Sequence, residues 1–238
     1  MKASRAFAAA IISGMSILVA SCASLPVTET PIERPETALV PRDGANRAVQ
    51  SVLGSVPRSA RFAFLATGFT SLYYVGEDGS VYWAFYKRQQ PGFGVVPIGA
   101  RFAFLGTGKR RLFYVARNGL TYDARDNSLQ AQFGSVPPDA DFALPDTGKA
   151  TLYYVDQDGY TYLAKDGSRQ ARFGKVPESA RFAFLATNQT DLYYVDQDGQ
   201  VYAAKDNTPQ SQLGHVPTQA RFAFLSTGRP ALYSLSPR

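Results

Sequence analysis

Carboxylate chemistry has two sources in this chain. Asp126, Asp166 and Asp206 recur 40 residues apart beside Arg125, Lys165 and Lys205, while Asp141 and Asp146 fall in a single stretch. Acid–base hydrolysis needs two carboxyl groups of unlike environment flanking one bond. One acid repeated three times next to a cation reads instead as a set of solvated turns. Asp156-Gln157-Asp158-Gly159 and its copy, Asp196 to Gly199, space their oxygens as a calcium loop would. Elsewhere the same turn reads Gly76-Glu77-Asp78-Gly79 and Ala116-Arg117-Asn118-Gly119. The glycine stays and the oxygens are lost, whereas calcium takes about six or more of them. The single histidine, His215, aligns with Ser55, Val95, Ser135 and Lys175, a tolerant position that suits a surface. The single cysteine, Cys22, excludes an internal disulfide framework and a thiolate zinc cage. The expectation is no metal, no cofactor and no enzyme.

Two further groups could bind rather than react. Tyr74, Tyr114, Tyr154 and Tyr194 share one phase, and Tyr82, Tyr122, Tyr162 and Tyr202 another, with Trp83 the only tryptophan. Such rings either pack between neighbouring strands or, beside an Arg, Gln or Asp, hold a sugar face. Equivalent weak pockets would then add up through avidity. Lys109, Arg110 and Arg111 are the densest basic cluster and would attract anionic wall polymers or lipid head groups, unless they only solubilise a turn.

The elements that must position these residues are repeated. Val-Pro occurs at Val56-Pro57, Val96-Pro97, Val136-Pro137, Val176-Pro177 and Val216-Pro217, a period of 40 without insertion. The 238 residues are 45% hydrophobic, with 14 Tyr and 16 Phe against 18% charged residues, a balance that favours strand over helix. In the fourth copy Arg181 to Thr187 alternates large and small apolar side chains as a first strand. Leu192 to Val195 is a second, and Asp196 to Gly199 turns the chain into a third at Gln200 to Ala204. Gly79, Gly119, Gly159 and Gly199 supply the positive φ that this turn requires. Gln210 to Leu213 reads as a short fourth strand. In the third copy Pro145, unable to donate to a ladder, is expected to end the first strand early.

Met1 to Ser21 has Lys2 and Arg5 followed by an apolar run to Ala20 and no acid, a secretory leader too short to span a bilayer. Val19-Ala20-Ser21-Cys22 resembles the lipobox of bacterial lipoproteins. That resemblance implies cleavage before Cys22, a diacylglycerol on its sulfur and acylation of its amine, and so a firm membrane anchor. Cleavage removes 21 residues and leaves 217, with formal charge falling from +6 to +4. Ala23 after the cysteine resembles the outer-membrane sorting signal of enteric bacteria. Beyond it, Pro26, Pro31, Pro35 and Pro41 mark a semi-extended tether. A mild positive charge on an exported chain points to envelope partners rather than nucleic acid.

Four short strands in 40 residues is the economy of a propeller blade. The fifth copy stops after two strands, yet Ala38 to Gly44 and Gln50 to Leu53 look like its missing third and fourth. Joining the two ends would close a five-bladed β-propeller and remove exposed edges. An open row of hairpins, a β-solenoid and a trefoil are the alternatives. The division expected is a signal peptide at 1–21, a lipidated tether at 22–36 and an all-β repeat domain at 37–238. In plan, though in no motif, this is similar to the five-bladed propeller lectins. The expected function is an envelope lipoprotein that binds or scaffolds glycan, cell wall or protein without catalysis. A purely structural envelope lipoprotein ranks second and a propeller glycoside hydrolase third.

Overall fold

The computed structural model of the chain describes residues 53–66, 71–106, 111–146, 150–186, 191–225 and 232–235. Every named element in them is a β-strand or a single 3-10 turn. The first unit contains β1 (Phe62–Leu65), β2 (Leu72–Val75), β3 (Val81–Trp83) and β4 (Arg88–Gln89), and the second β5 (Phe102–Leu105), β6 (Leu112–Val115) and β7 (Thr121–Asp123). The third has β8 (Phe142–Asp146), β9 (Thr151–Val155) and β10 (Thr161–Leu163). β11 (Phe182–Leu185), β12 (Leu192–Val195), β13 (Val201–Ala203) and β14 (Thr208–Pro209) form the fourth, and β15 (Phe222–Leu225) with β16 (Leu232–Leu235) the described part of the fifth. Each unit is its own antiparallel meander, with strands paired in chain order.

The first strands are buried at every residue because both of their faces meet neighbours. β1 lies against β5, β5 against β8, β8 against β11, β11 against β15, and β15 returns to β1. The returning seam is packed: Phe222, Phe224 and Leu235 of the fifth unit share one apolar cluster with Phe62, Phe64 and Val75 of the first. Of the N-terminal strands expected at Ala38 to Gly44 and Gln50 to Leu53 only Leu53 is among the described residues, where it is buried in the first unit's apolar cluster and is not part of a strand.

Arginine ties successive units. The Arg61 guanidinium lies over the Phe62 ring and donates to the carbonyls of Val96, Pro97 and Ile98 in the next unit. Arg101 reaches Pro137 and Ala140, and Arg181 reaches Pro217, Thr218 and Ala220. Arg221 repeats the contact across the returning seam, donating to Arg58 and Ala60.

Two strand expectations need correction. Gln210 to Leu213 is not a strand: Ser211–Leu213 is a 3-10 turn, as are Pro91–Phe93, Ala131–Phe133 and Ala171–Phe173. Their i to i+3 bonds, such as Leu213 N to Gln210 O, bury an apolar residue that a strand would place no better. A fourth strand exists only as the two-residue β4 and β14, just upstream. Pro145 does not shorten its strand either, since β8 is a residue longer than its counterparts and pairs Pro145 with Leu152. In sibling units Ala66 N bonds to Ser71 O and Ala186 N to Asp191 O. By alternation the residue before points its N–H away from the second strand, on the sheet edge, where proline loses nothing.

Each 3-10 turn ends on a glycine with φ between 74° and 82° and ψ near −150°, a region open only to glycine. A Cβ on Gly174 would stand 2.1 Å from the Ala204 oxygen of the next unit, whereas one on Gly92 would meet nothing within 4 Å. Gly174→Ala should therefore lower stability by about 3 kcal/mol or more, while Gly92→Ala stays within about 0.5 kcal/mol of wild type. Urea melts of the two variants check this, and equal midpoints would contradict it.

Candidate functional site

The turns after the third strands lie at the same end of the sheets as the loops between first and second strands, because adjacent strands run antiparallel. Four such turns therefore line one rim. In units two to four they share a design: Asp126, Asp166 and Asp206 accept the backbone N–H of Ser128, Ser168 and Thr208 at 2.9, 2.9 and 3.1 Å. The side-chain and backbone donors of those residues hold each carboxyl below the usual aspartate range. These are turn-capping acids. The next position is left-handed, with φ of 56° at Asn127, 70° at Gly167 and 59° at Asn207, residues that accept it readily.

Unit one breaks this design, a feature that reading the motifs alone misses. Tyr86 stands where the others have aspartate, Phe85 replaces Arg or Lys, Lys87 takes the left-handed position at φ 52°, and Arg88 replaces Ser or Thr. Phe85 is 48% and Tyr86 55% exposed. Tyr86 meets the half-buried Trp83 edge to face at 4.8 Å, and Phe85 meets Tyr86 likewise at 4.7 Å. Aligning the four copies that contain this turn by column would have exposed it.

Unit two departs differently. Arg111 donates through Nε and Nη2 to Asp123 Oδ2, at 2.8 and 2.5 Å, and its guanidinium lies over the Phe113 ring. Asp123 is 1% exposed and its other oxygen accepts from Arg125 N. Of the expected basic cluster, then, Arg111 is engaged inside its own sheet, and Lys109 and Arg110 lie outside the described residues.

The tyrosines divide by layer. Tyr74, Tyr114, Tyr154 and Tyr194 are buried, each stacked at 5.3 to 5.5 Å on its cross-strand partner Tyr82, Tyr122, Tyr162 or Tyr202. Solvent therefore meets the third-strand ring rather than the second. Tyr162 donates to Asp158, and that bond to a carboxylate pushes its phenol up to about 12. Asp158 also accepts Tyr160 N, so the oxygens once considered for calcium are occupied by their own turn. His215 is exposed.

Asp141 and Asp146 are not brought together. Asp146 ends β8 and Asp141 precedes its first residue, roughly 16 Å apart at the rise of a strand. Asp141 occupies the position of the clasping arginines, and its carboxyl is pushed up by desolvation at the seam, then by Glu178, Asp156 and Asp139. The seam between units three and four thus has carboxylates where the others have a guanidinium.

No family model and no curated protein matches the chain. Among solved structures it is similar to PorZ, described as an essential bacterial surface component of the type-IX secretion system of Porphyromonas gingivalis. The identity is 13% and the TM-score 0.37, over 69% of this chain and 23% of that one. A protein of unknown function from Bacteroides thetaiotaomicron gives 15% identity and a TM-score of 0.36, over 61% and 41%. The chain thus spans well under half the length of either, and superpositions this loose establish no shared function.

The Arg111–Asp123 pair generates a prediction. Arg111→Ala strands a buried carboxylate and should lower stability by about 3 kcal/mol. Importing the third unit's residues as Arg111→Thr with Asp123→Leu should recover most of it, because Thr151 and Leu163 occupy those positions there. Denaturant midpoints of the single and double variants decide the matter.

Proposed function

We propose that the chain is an exported, lipid-anchored envelope protein whose repeat domain is a five-bladed β-propeller acting as a non-catalytic binding or scaffolding module. The observation that carries the anchor is Val19-Ala20-Ser21-Cys22, the only cysteine of the chain, directly after a secretory leader. The ring is supported by Arg221, which clasps Arg58 and Ala60 as its siblings clasp the unit following their own. Glycan, wall polymer and envelope protein are the partners in view, met by a rim that gathers equivalent turns from several units. The outer membrane is the location in a host that has one.

Purely structural support of an envelope assembly is the second reading. It is favoured by the commitment of the half-buried Arg111 to Asp123 and by burial of the four second-strand tyrosines, which leaves both groups less available to a ligand.

Two outcomes are expected. Cys22→Ser should stop lipid labelling and shift the chain from the membrane fraction to an uncleaved or soluble form; unchanged labelling would remove the anchor. Deleting residues 37–52 should lower the melting temperature and broaden the transition, whereas deleting residues 23–32 should leave both unchanged. Equal melting of the two truncations would argue for an open row of sheets.

A further inference from the structure

We infer that the turn from Trp83 to Arg88 docks on an anionic lipid surface. The inference concerns the folded domain itself and does not require the lipid anchor.

It starts from what unit one gives up. Its siblings close the turn with an aspartate that accepts a backbone N–H and place Asn or Gly at the left-handed residue. Unit one has neither, and shows water two aromatic rings instead. Nothing in the sheet demands this, because β3 and β4 pair as β13 and β14 do. A turn less favourable to the fold and more exposed in its apolar area is suited to something outside the fold.

Its chemistry is that of a bilayer interface. Trp83 and Tyr86 are amphipathic rings of the kind that settle at the level of lipid head groups, and Phe85 can enter the acyl boundary. Lys87 and Arg88 follow immediately, both exposed and without an ion pair among the described residues. An anionic membrane complements these two cations beside the exposed rings. A sugar fits it less well: the rings meet edge to face rather than offering one flat platform, Phe85 has no hydrogen-bonding group, and the turn has no carboxylate.

Trp83 is the only tryptophan, so its fluorescence reports from within the proposed contact. The purified full chain is mixed with phosphatidylglycerol-containing or pure phosphatidylcholine vesicles, some with brominated acyl chains. With the anionic vesicles, Trp83 emission should shift to the blue, be quenched by bromine and become shielded from acrylamide. With phosphatidylcholine alone it should change little, and added salt should weaken the anionic response. Phe85→Ser/Tyr86→Ser and Lys87→Ser/Arg88→Ser, shown by their melts to be folded, should each weaken vesicle binding by roughly tenfold. Silence of Trp83 towards anionic vesicles, equal response to both lipids, or unaltered binding by both double variants would overturn the inference. So would a Trp83 already shielded in the free protein, which would mean the chain covers the patch itself. A response to soluble wall fragments in place of vesicles would overturn it in favour of a glycan. In Cys22→Ser a retained Trp83 response supports the inference even where membrane fractionation is lost, so the two readings fail separately.

Discussion

One segment, the linker Gly-x-Val-Pro, couples each of the first three units to the next. Val96 N donates back to Gly79 O in the unit just completed, while Val95 N donates forward to Ala124 O at the end of the next unit's third strand. Val136 with Ser135, and Val176 with Lys175, repeat the pair. Two consecutive amides thus bond to two different sheets, because successive N–H groups of extended backbone point to opposite sides. The preceding glycine, with its positive φ, turns the chain into this extended linker, and its missing side chain lets it touch the next unit's backbone. The arginine clasp depends on the same geometry, because the carbonyls it reads belong to the turn begun by that Val-Pro. Fixing the linker therefore fixes the seam.

This dependence explains which parts of the fold could be read in advance. The second strand is found where the apolar run before the Asp-Gly turn placed it, at Leu192 to Val195, and the glycine turns have the positive φ that a hairpin needs. Both are local properties of a few adjacent residues. Gln210 to Leu213 misled because a polar residue two before an apolar one fits a strand and a 3-10 turn equally. The structure closes it with two local bonds, Leu213 N to Gln210 O and Gly214 N to Ser211 O, which polarity alone does not announce. Pro145 misled for a related reason: its effect depends on whether the N–H it lacks faces a neighbour, and that follows from the sheet's edge.

The candidate surface was less legible than the fold, for a physical reason. The tyrosine columns attracted attention by their regularity, and regularity in a repeat signals packing, since each unit must present the same shape to the next. Tyr74 and Tyr194 are accordingly buried under Tyr82 and Tyr202. Information about a partner resides instead where one copy leaves the column, as Phe85 and Tyr86 do against Arg125-Asp126, Lys165-Asp166 and Lys205-Asp206.

The two departures complement each other. In the order of contacts, unit one touches units two and five, so the seam between units three and four lies farthest from it. Unit one has exposed aromatics beside basic residues, and the distant seam has Asp141 among Asp139, Asp156 and Glu178 in place of an arginine. A negatively charged surface attracts the first and repels the second, so it exerts a torque as well as an attraction. Were the units identical, a charged surface would not distinguish one from another, and these two unlike regions remove that equivalence.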